Sequence, residues 1–324
     1  MQRKESVNNK FSEHRRHFLK NLPVLAAAVA AQNESVRLVA QTTGRPTNFQ
    51  IACMTLPYSQ FPLQRALEGI ARGGFKYVAL GTRHLEAPGR QVPVLDLDAK
   101  PAEVKKVGDR CRDLGLTPVL MFSTVYVEAP NGLEAHKKKI EQAAAAGIPQ
   151  LLTFGHTEGG KLDVWVKNLK ILGPLARAAG VTVVIKQHGG ETGTGEACAK
   201  IVREVADPGV WMNYDAGNVM DYLDVDPLPD IRKCSAEIRS FCIKDHRNFP
   251  KDEDCGPGFG EIDHYRLLAP VAFTGLNMPL ACENISAPVL PRPNKPEGVD
   301  ALARRAREFL EIVIQGIQNP APDK

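Results

Sequence analysis

The chain has 324 residues, 43% of them hydrophobic and 24% charged, with no long biased tract. That excludes collagen, coiled coil and wholesale disorder, and it is enough chain for one large core or two ordinary ones. The formal net charge of +4 sits at the front. Residues 1–30 carry six basic side chains (Arg3, Lys4, Lys10, Arg15, Arg16, Lys20) against two acidic ones, so the remainder is near neutral, which excludes affinity driven by nucleic-acid phosphates.

In chain order, His14-Arg15-Arg16-His17-Phe18-Leu19-Lys20 precedes the short apolar stretch Asn21–Ala31, with Ala28-Val29-Ala30 as a small-x-small cleavage site. Residues 1–31 resemble a twin-arginine signal segment. The resemblance implies the twin-arginine export machinery as a partner and a periplasmic or otherwise exported protein, soluble once the signal is removed. Residues 32–48 read as a linker. The seven cysteines form no tight pair motif, and no disulfide framework is expected.

From residue 49 onward, short apolar runs alternate with helical periodicity. Strands are predicted over Gln50–Leu56, Tyr77–Gly81, Thr117–Ser123, Gln150–Phe154, Val181–His188, Val210–Tyr214, Ser240–Lys244 and Leu280–Ile285. Helices are predicted near Leu63–Arg72, Ala102–Leu114, Leu133–Ala146, Val164–Ala179, Gly195–Val205, Leu228–Glu237, Tyr265–Ala272 and Val299–Ile317. Gly115, Gly147 and Gly180 follow helices at about one strand-helix unit of spacing. Eight alternating pairs predict a parallel sheet closed into a single-domain (β/α)8 TIM barrel over 49–318, with a short tail at 319–324. No Gly-x-Gly-x-x-Gly follows an early strand, which argues against an open dinucleotide-binding sheet.

Barrels collect function at the C-terminal ends of their strands. Four consecutive ends are polar: Lys186-Gln187-His188, Asp215-Ala216-Gly217-Asn218, Lys244-Asp245-His246 and Glu283-Asn284. One such end commonly caps the next helix; four adjacent ones predict a shared pocket. The polar, Gly/Pro-rich stretch Asn248–Phe259 follows the seventh strand and reads either as a loop covering a ligand or as a disordered surface insertion. His156 and His84 end strands four and two, and Tyr58 follows strand one, where a ring can stack on a sugar. Trp165 and Trp211 read as core, and Lys137-Lys138-Lys139 as a solvated helix face.

Asn-Tyr-Asp-Ala-Gly-Asn at 213–218, Ile-Lys-Asp at 243–245, Gly-Phe-Gly-Glu-Ile-Asp-His at 258–264 and Glu283 together resemble the xylose isomerase-like sugar isomerase and epimerase family. The resemblance implies a metal-dependent sugar isomerase or epimerase, moving a proton beside a carbonyl. It also implies a divalent cation, Mn²⁺ first and Zn²⁺ as the alternative, held by residues at the ends of strands five to eight. Asp215 and Glu283 match that pattern. The strand-five Glu is Lys186 here and the strand-seven His is Cys242.

The remaining metal ligands are His188, Asp215 and Glu283, with His246 or Asn218 as extra donors. Glu283, Lys186 and His188 are the catalytic candidates; Lys244, His246, Asn218 and His156 are the candidates for binding a sugar or glycoside. Lys186 repels a divalent cation; it serves as an acid-base group, holds an anionic substrate group, or simply pairs with Asp215 or Glu283 in an idle pocket. Two further readings therefore stay open: a lyase eliminating the aglycone from 3-keto-glycosides, and a non-catalytic periplasmic sugar-binding barrel. A DNA-repair endonuclease relative is disfavoured, because there is neither a His-rich cluster nor a basic face.

Overall fold

The computed structural model describes residues 44–319. The expected signal segment, most of the expected linker and residues 320–324 of the tail lie outside the described residues. Eight parallel strands close on themselves in chain order: β1 (Asn48–Met54), β2 (Tyr77–Leu80), β3 (Thr117–Phe122), β4 (Gln150–Phe154), β5 (Thr182–Lys186), β6 (Val210–Tyr214), β7 (Ile238–Ile243) and β8 (Asn277–Cys282). The closing seam pairs β1 with β8 from Asn48 opposite Asn277 to Cys53 opposite Cys282. The predicted (β/α)8 barrel is the observed fold, and β1 starts one residue inside the expected linker.

Strand composition explains the two apolar layers. Ala52, Ala79, Leu120, Leu152, Val184, Cys242 and Ala281 pack together in one cluster, small side chains among larger ones. Alternate strand residues such as Val183 and Ile185 point the other way, into the larger cluster that the helices cover. The first helix, α1 (Leu63–Arg72), buries Leu63, Ala66, Leu67 and Ile70, a three-four spacing that makes one apolar stripe. It is followed by α2 (Pro101–Asp113), α3 (Gly132–Ala146), α4 (Leu162–Ala178) and α5 (Gly195–Val205). Gly147 ends α3 at φ 70°, the left-handed turn that lets the chain enter β4.

Four features depart from the sequence reading. An eight-residue helix, α6 (Ala216–Leu223), begins directly after β6, ahead of α7 (Pro227–Arg232). Two antiparallel hairpins stand above the strand ends: Arg83–Ala87 with Arg90–Pro93, and Asp245–Arg247 with Glu253–Cys255. Lys139 is not solvated. It is 2% exposed, its Nζ donating to Leu95 O and Gln142 Oε1, and burial lowers its pKa to about 8. Tyr58 is fully buried with its hydroxyl on Asp300, out of reach of a sugar. The chain closes with α8 (His264–Leu268) and α9 (Pro296–Gln318). All seven cysteines are buried and free, and no helix among the described residues is long and apolar enough to cross a membrane.

Candidate active site

The four polar strand ends meet. Lys186 is the last residue of β5, and Asp215, Lys244 and Glu283 are the first residues after β6, β7 and β8. Lys186 Nζ lies 2.9 and 2.8 Å from the two oxygens of Glu283 and 3.1 Å from Asp215 Oδ2. Phe122 and Phe154 place their rings 5.5 and 6.0 Å from the same ammonium, within cation–π range. Lys244 Nζ is 2.9 Å from Asp254 Oδ2 and 3.8 Å from Asp215 Oδ2, and it also donates to Asn218 Oδ1.

Local structure explains why these side chains point inward. Asp215 caps α6, its Oδ1 accepting from Asn218 N, which leaves Oδ2 turned toward Lys186. Asn218 donates from Nδ2 to Gln187 O at 2.6 Å and so fixes the acceptor that orients Lys244. Asp245 is fully buried and accepts from His246 N, Gly258 N and Ile262 N, tying the end of β7 to the Gly-Phe-Gly-Glu-Ile-Asp stretch. A Cβ on Gly260 would lie 2.3 Å from Asp245 Oδ1, so this spacing of glycines follows from close approach of the backbone to a buried carboxylate.

Electrostatics follow from burial and sign. For Lys186, burial opposes the charge, but Glu283 and Asp215 outweigh it and hold the ammonium well above the usual lysine range. Lys244 is raised in the same way, burial being outweighed by Asp215 and Glu283. For Glu283, burial is again outweighed, here by the two lysines, and its pKa falls to about 2. Burial dominates at Asp215 and raises it to about 6. His188 is lowered, first by burial and then by Lys186. Its Nδ1 donates to Gly155 O at 2.9 Å, leaving Nε2 as the acceptor nitrogen of a neutral ring.

A cavity of about 270 Å³ opens beside this network, bordered by Lys244, Asp254, Glu283, Phe61, Ile285 and Arg292. From Phe154, 6.0 Å from the Lys186 ammonium, aromatic rings run in a chain: Tyr126 meets His156 at 3.8 Å and Phe154 at 5.9 Å, Phe154 meets His188 at 4.6 Å, and His188 meets Tyr222 at 5.2 Å.

Among the sequence candidates, Lys186, Asp215, Lys244 and Glu283 come together. Half-buried His188 stands beside them in the aromatic row, and exposed His156 lies further along it. His246 is buried and spent on Asp254, Asn248 and Asp252, and buried Asn218 has both ends on protein partners. His84 is buried against Phe61 O. Three participants were not read from the sequence. Asp254 pairs with Lys244, and Tyr222 extends the aromatic row. Glu128 buries both carboxylate oxygens without a hydrogen bond, 3.6 Å from His156 Nε2.

Potential metal-ligand atoms converge in two groups among the described residues: Asp215, Cys242 and Glu283, and Asp221, His246 and Asp254, each within 4.8 Å. His188 belongs to neither. In the first group the Lys186 ammonium already contacts both carboxylates, and burial keeps Cys242 a protonated thiol. In the second, Lys244 holds Asp254. A divalent cation beside either ammonium would meet like charge at close range, so the donor set does not fit one.

Residues 67–311 match the family model described as xylose isomerase-like TIM barrel. No curated protein matches the sequence. Among solved structures, a xylose isomerase-like TIM barrel protein from Mycobacterium smegmatis in complex with magnesium is 16% identical, with a TM-score of 0.65 over 86% of this chain and 99% of that one. An L-ribulose 3-epimerase is 17% identical, with a TM-score of 0.61 over 84% and 96%. A xylose isomerase-like TIM barrel/4-hydroxyphenylpyruvate dioxygenase fusion protein is 20% identical, with a TM-score of 0.63; 86% of this chain is covered but only 45% of the fusion.

Proposed function

Because the chain belongs to the xylose isomerase-like TIM barrel family, we propose that it is an enzyme moving a proton beside the carbonyl of a sugar or sugar derivative, as an isomerase or epimerase. The observation that carries this reading is the Lys186 ammonium held between Glu283 and Asp215, beside a cavity that Glu283 itself borders. The epimerase among the similar structures supports the substrate class.

The chemistry uses side chains of this chain. A substrate carbonyl oxygen accepts a hydrogen bond from Lys186 or Lys244, and the developing oxyanion is stabilised by the ammonium. Engaging Lys186 in this way loosens its grip on Glu283, whose pKa then rises from about 2 toward that of a useful base. Glu283, which borders the cavity, takes the proton from the adjacent carbon, giving an enediol-like intermediate. A proton delivered to the other face by His188, once its Nε2 has taken one up from solvent, gives the epimer; return of the proton to the neighbouring carbon, with that carbon's oxygen keeping a proton and the hydroxyl on the first carbon losing its own, gives the isomer. The aromatic row packs against the sugar's C–H faces and excludes water. The divalent cation expected from the resemblance is not part of this proposal.

A second reading is favoured by the asymmetry of the site, which offers an ammonium where a second carboxylate would stand. One base and one carbonyl-polarising cation suffice for elimination: proton loss beside the ketone of a 3-keto-glycoside expels the aglycone as its alcohol. Incubation with free ketoses and with 3-keto-glycosides separates the readings, since a new sugar isomer supports the first and released aglycone the second. Binding of these sugars without turnover would leave a sugar-binding barrel and defeat both enzymatic readings. Export through Arg15 and Arg16 to the periplasm belongs to the same proposal; an Arg15→Lys/Arg16→Lys double variant retained in the cytoplasm is the expected outcome, and unchanged secretion would remove it.

A further inference from the structure

We infer that Lys186 is an internal replacement for a divalent cation, with its ammonium occupying the point on which Asp215, Cys242 and Glu283 converge, so that the pocket is complete without a metal. The inference concerns occupancy of the site and does not depend on which sugar reaction is catalysed.

Three independent features carry it. Asp215, Cys242 and Glu283 come from the ends of three neighbouring strands and bring one ligand atom each within 4.8 Å of one another, the spacing of a small cation site. Lys186 reaches this group from β5, donating to both Glu283 oxygens at 2.9 and 2.8 Å and forming an ion pair with Asp215 Oδ2 at 3.1 Å. Phe122 and Phe154 flank the same nitrogen, and Lys186 itself is 3% exposed. A lysine merely passing through would not find aromatic faces and carboxylates arranged around its tip.

The charge count agrees. Lys186 and Lys244 offer two positive charges to Asp215, Glu283 and Asp254, which leaves one net negative charge rather than the larger deficit that draws in a divalent ion. Exchanging the ammonium for a carboxylate reverses that balance. It places three carboxylates and a thiol around one point, with Lys244 to one side.

The test is metal occupancy of the full-length chain expressed in medium supplemented with Mn²⁺ and Zn²⁺. Elemental analysis and Mn²⁺ electron paramagnetic resonance titration are run on the wild type, Lys186→Glu and Lys186→Gln. The wild type is expected to carry substoichiometric metal and to melt at the same temperature with and without chelator. Lys186→Glu is expected to take up one Mn²⁺ per chain and to be stabilised by it, with Lys186→Gln weaker in the same direction. Wild type purified with one tightly held divalent ion per chain overturns the inference. So does a folded Lys186→Glu that binds no more Mn²⁺ than the wild type. Should both variants fail to fold, the wild-type occupancy decides alone.

Discussion

Lys186 and Glu283, 97 residues apart in sequence, meet in a two-pronged contact of 2.9 and 2.8 Å at the C-terminal rim of the barrel. Their strands are separated in the sheet by β6 and β7, so only closure of the cylinder brings them together. The contact is nearly sealed from water, with side-chain exposures of 4% and 13%.

Removing the ammonium leaves two buried carboxylates facing each other. Lys186→Met should therefore lower the unfolding free energy by about 3–5 kcal/mol, the usual cost of breaking a buried pair from one side. Glu283→Gln should cost less, because Lys186 keeps Asp215. Urea unfolding of both variants checks this order; equal stability of Lys186→Met and wild type would contradict it.

Asp215 and Glu283 give opposite pH dependences. The folded pKa of Asp215 is raised to about 6 against an unfolded value near 3.9, so its contribution to stability is full below about pH 4 and is lost as pH rises toward 6. Glu283 is lowered to about 2, so its contribution is present above about pH 4.3 and is lost as pH falls toward 2. In Asp215→Asn, which keeps an acceptor for the α6 cap, the first effect disappears. The stability of this variant relative to wild type should rise between pH 4 and 6 in urea titrations; a constant difference across that window would contradict the assignment.

Gly260 tests the frame that carries the site. A methyl group there would overlap Asp245 Oδ1 and His246 O, both at 2.3 Å, and Gly260→Ala should destabilise by about 1–3 kcal/mol. Thermal unfolding measures it. An unchanged melting temperature would show that Asp245 is not held as described.

The aromatic row should act on binding rather than on folding. Tyr222 is 38% exposed, so Tyr222→Ala should weaken sugar binding by about tenfold with little change in stability. Calorimetric titration with a slowly reacting sugar checks this, and unaltered affinity would move the substrate away from the row.

Much of this molecule was legible in its sequence. β4, β6, α1 and α5 have the bounds that periodicity suggested, because a Gly or Pro marks at least one end of each and leaves little choice of end points. The convergence of Lys186, Asp215, Lys244 and Glu283 followed from the barrel rule alone. What escaped depends on distant partners or on short range. Lys139 looks solvated within three consecutive lysines, yet its burial is set by the Leu95 carbonyl, 44 residues earlier. Tyr58 is claimed by Asp300, 242 residues away. Helix α6 is too short to show a period, and its cap is the same Asp215 that faces Lys186. The Arg83–Ala87 hairpin strand has only Leu85 and Ala87 as apolar residues, with Arg83 on the same face, too short and mixed a pattern to mark a strand.

Solvent-deuterium exchange tests the central proposal most directly. Candidate ketoses and 3-keto-glycosides are incubated with the protein in D₂O, and proton NMR follows the hydrogen on the carbon beside the carbonyl. The expected result is enzyme-dependent deuterium incorporation or elimination that is abolished in Glu283→Gln and unaffected by chelator. Identical exchange in wild type and Glu283→Gln, or none with any substrate that binds, would contradict it.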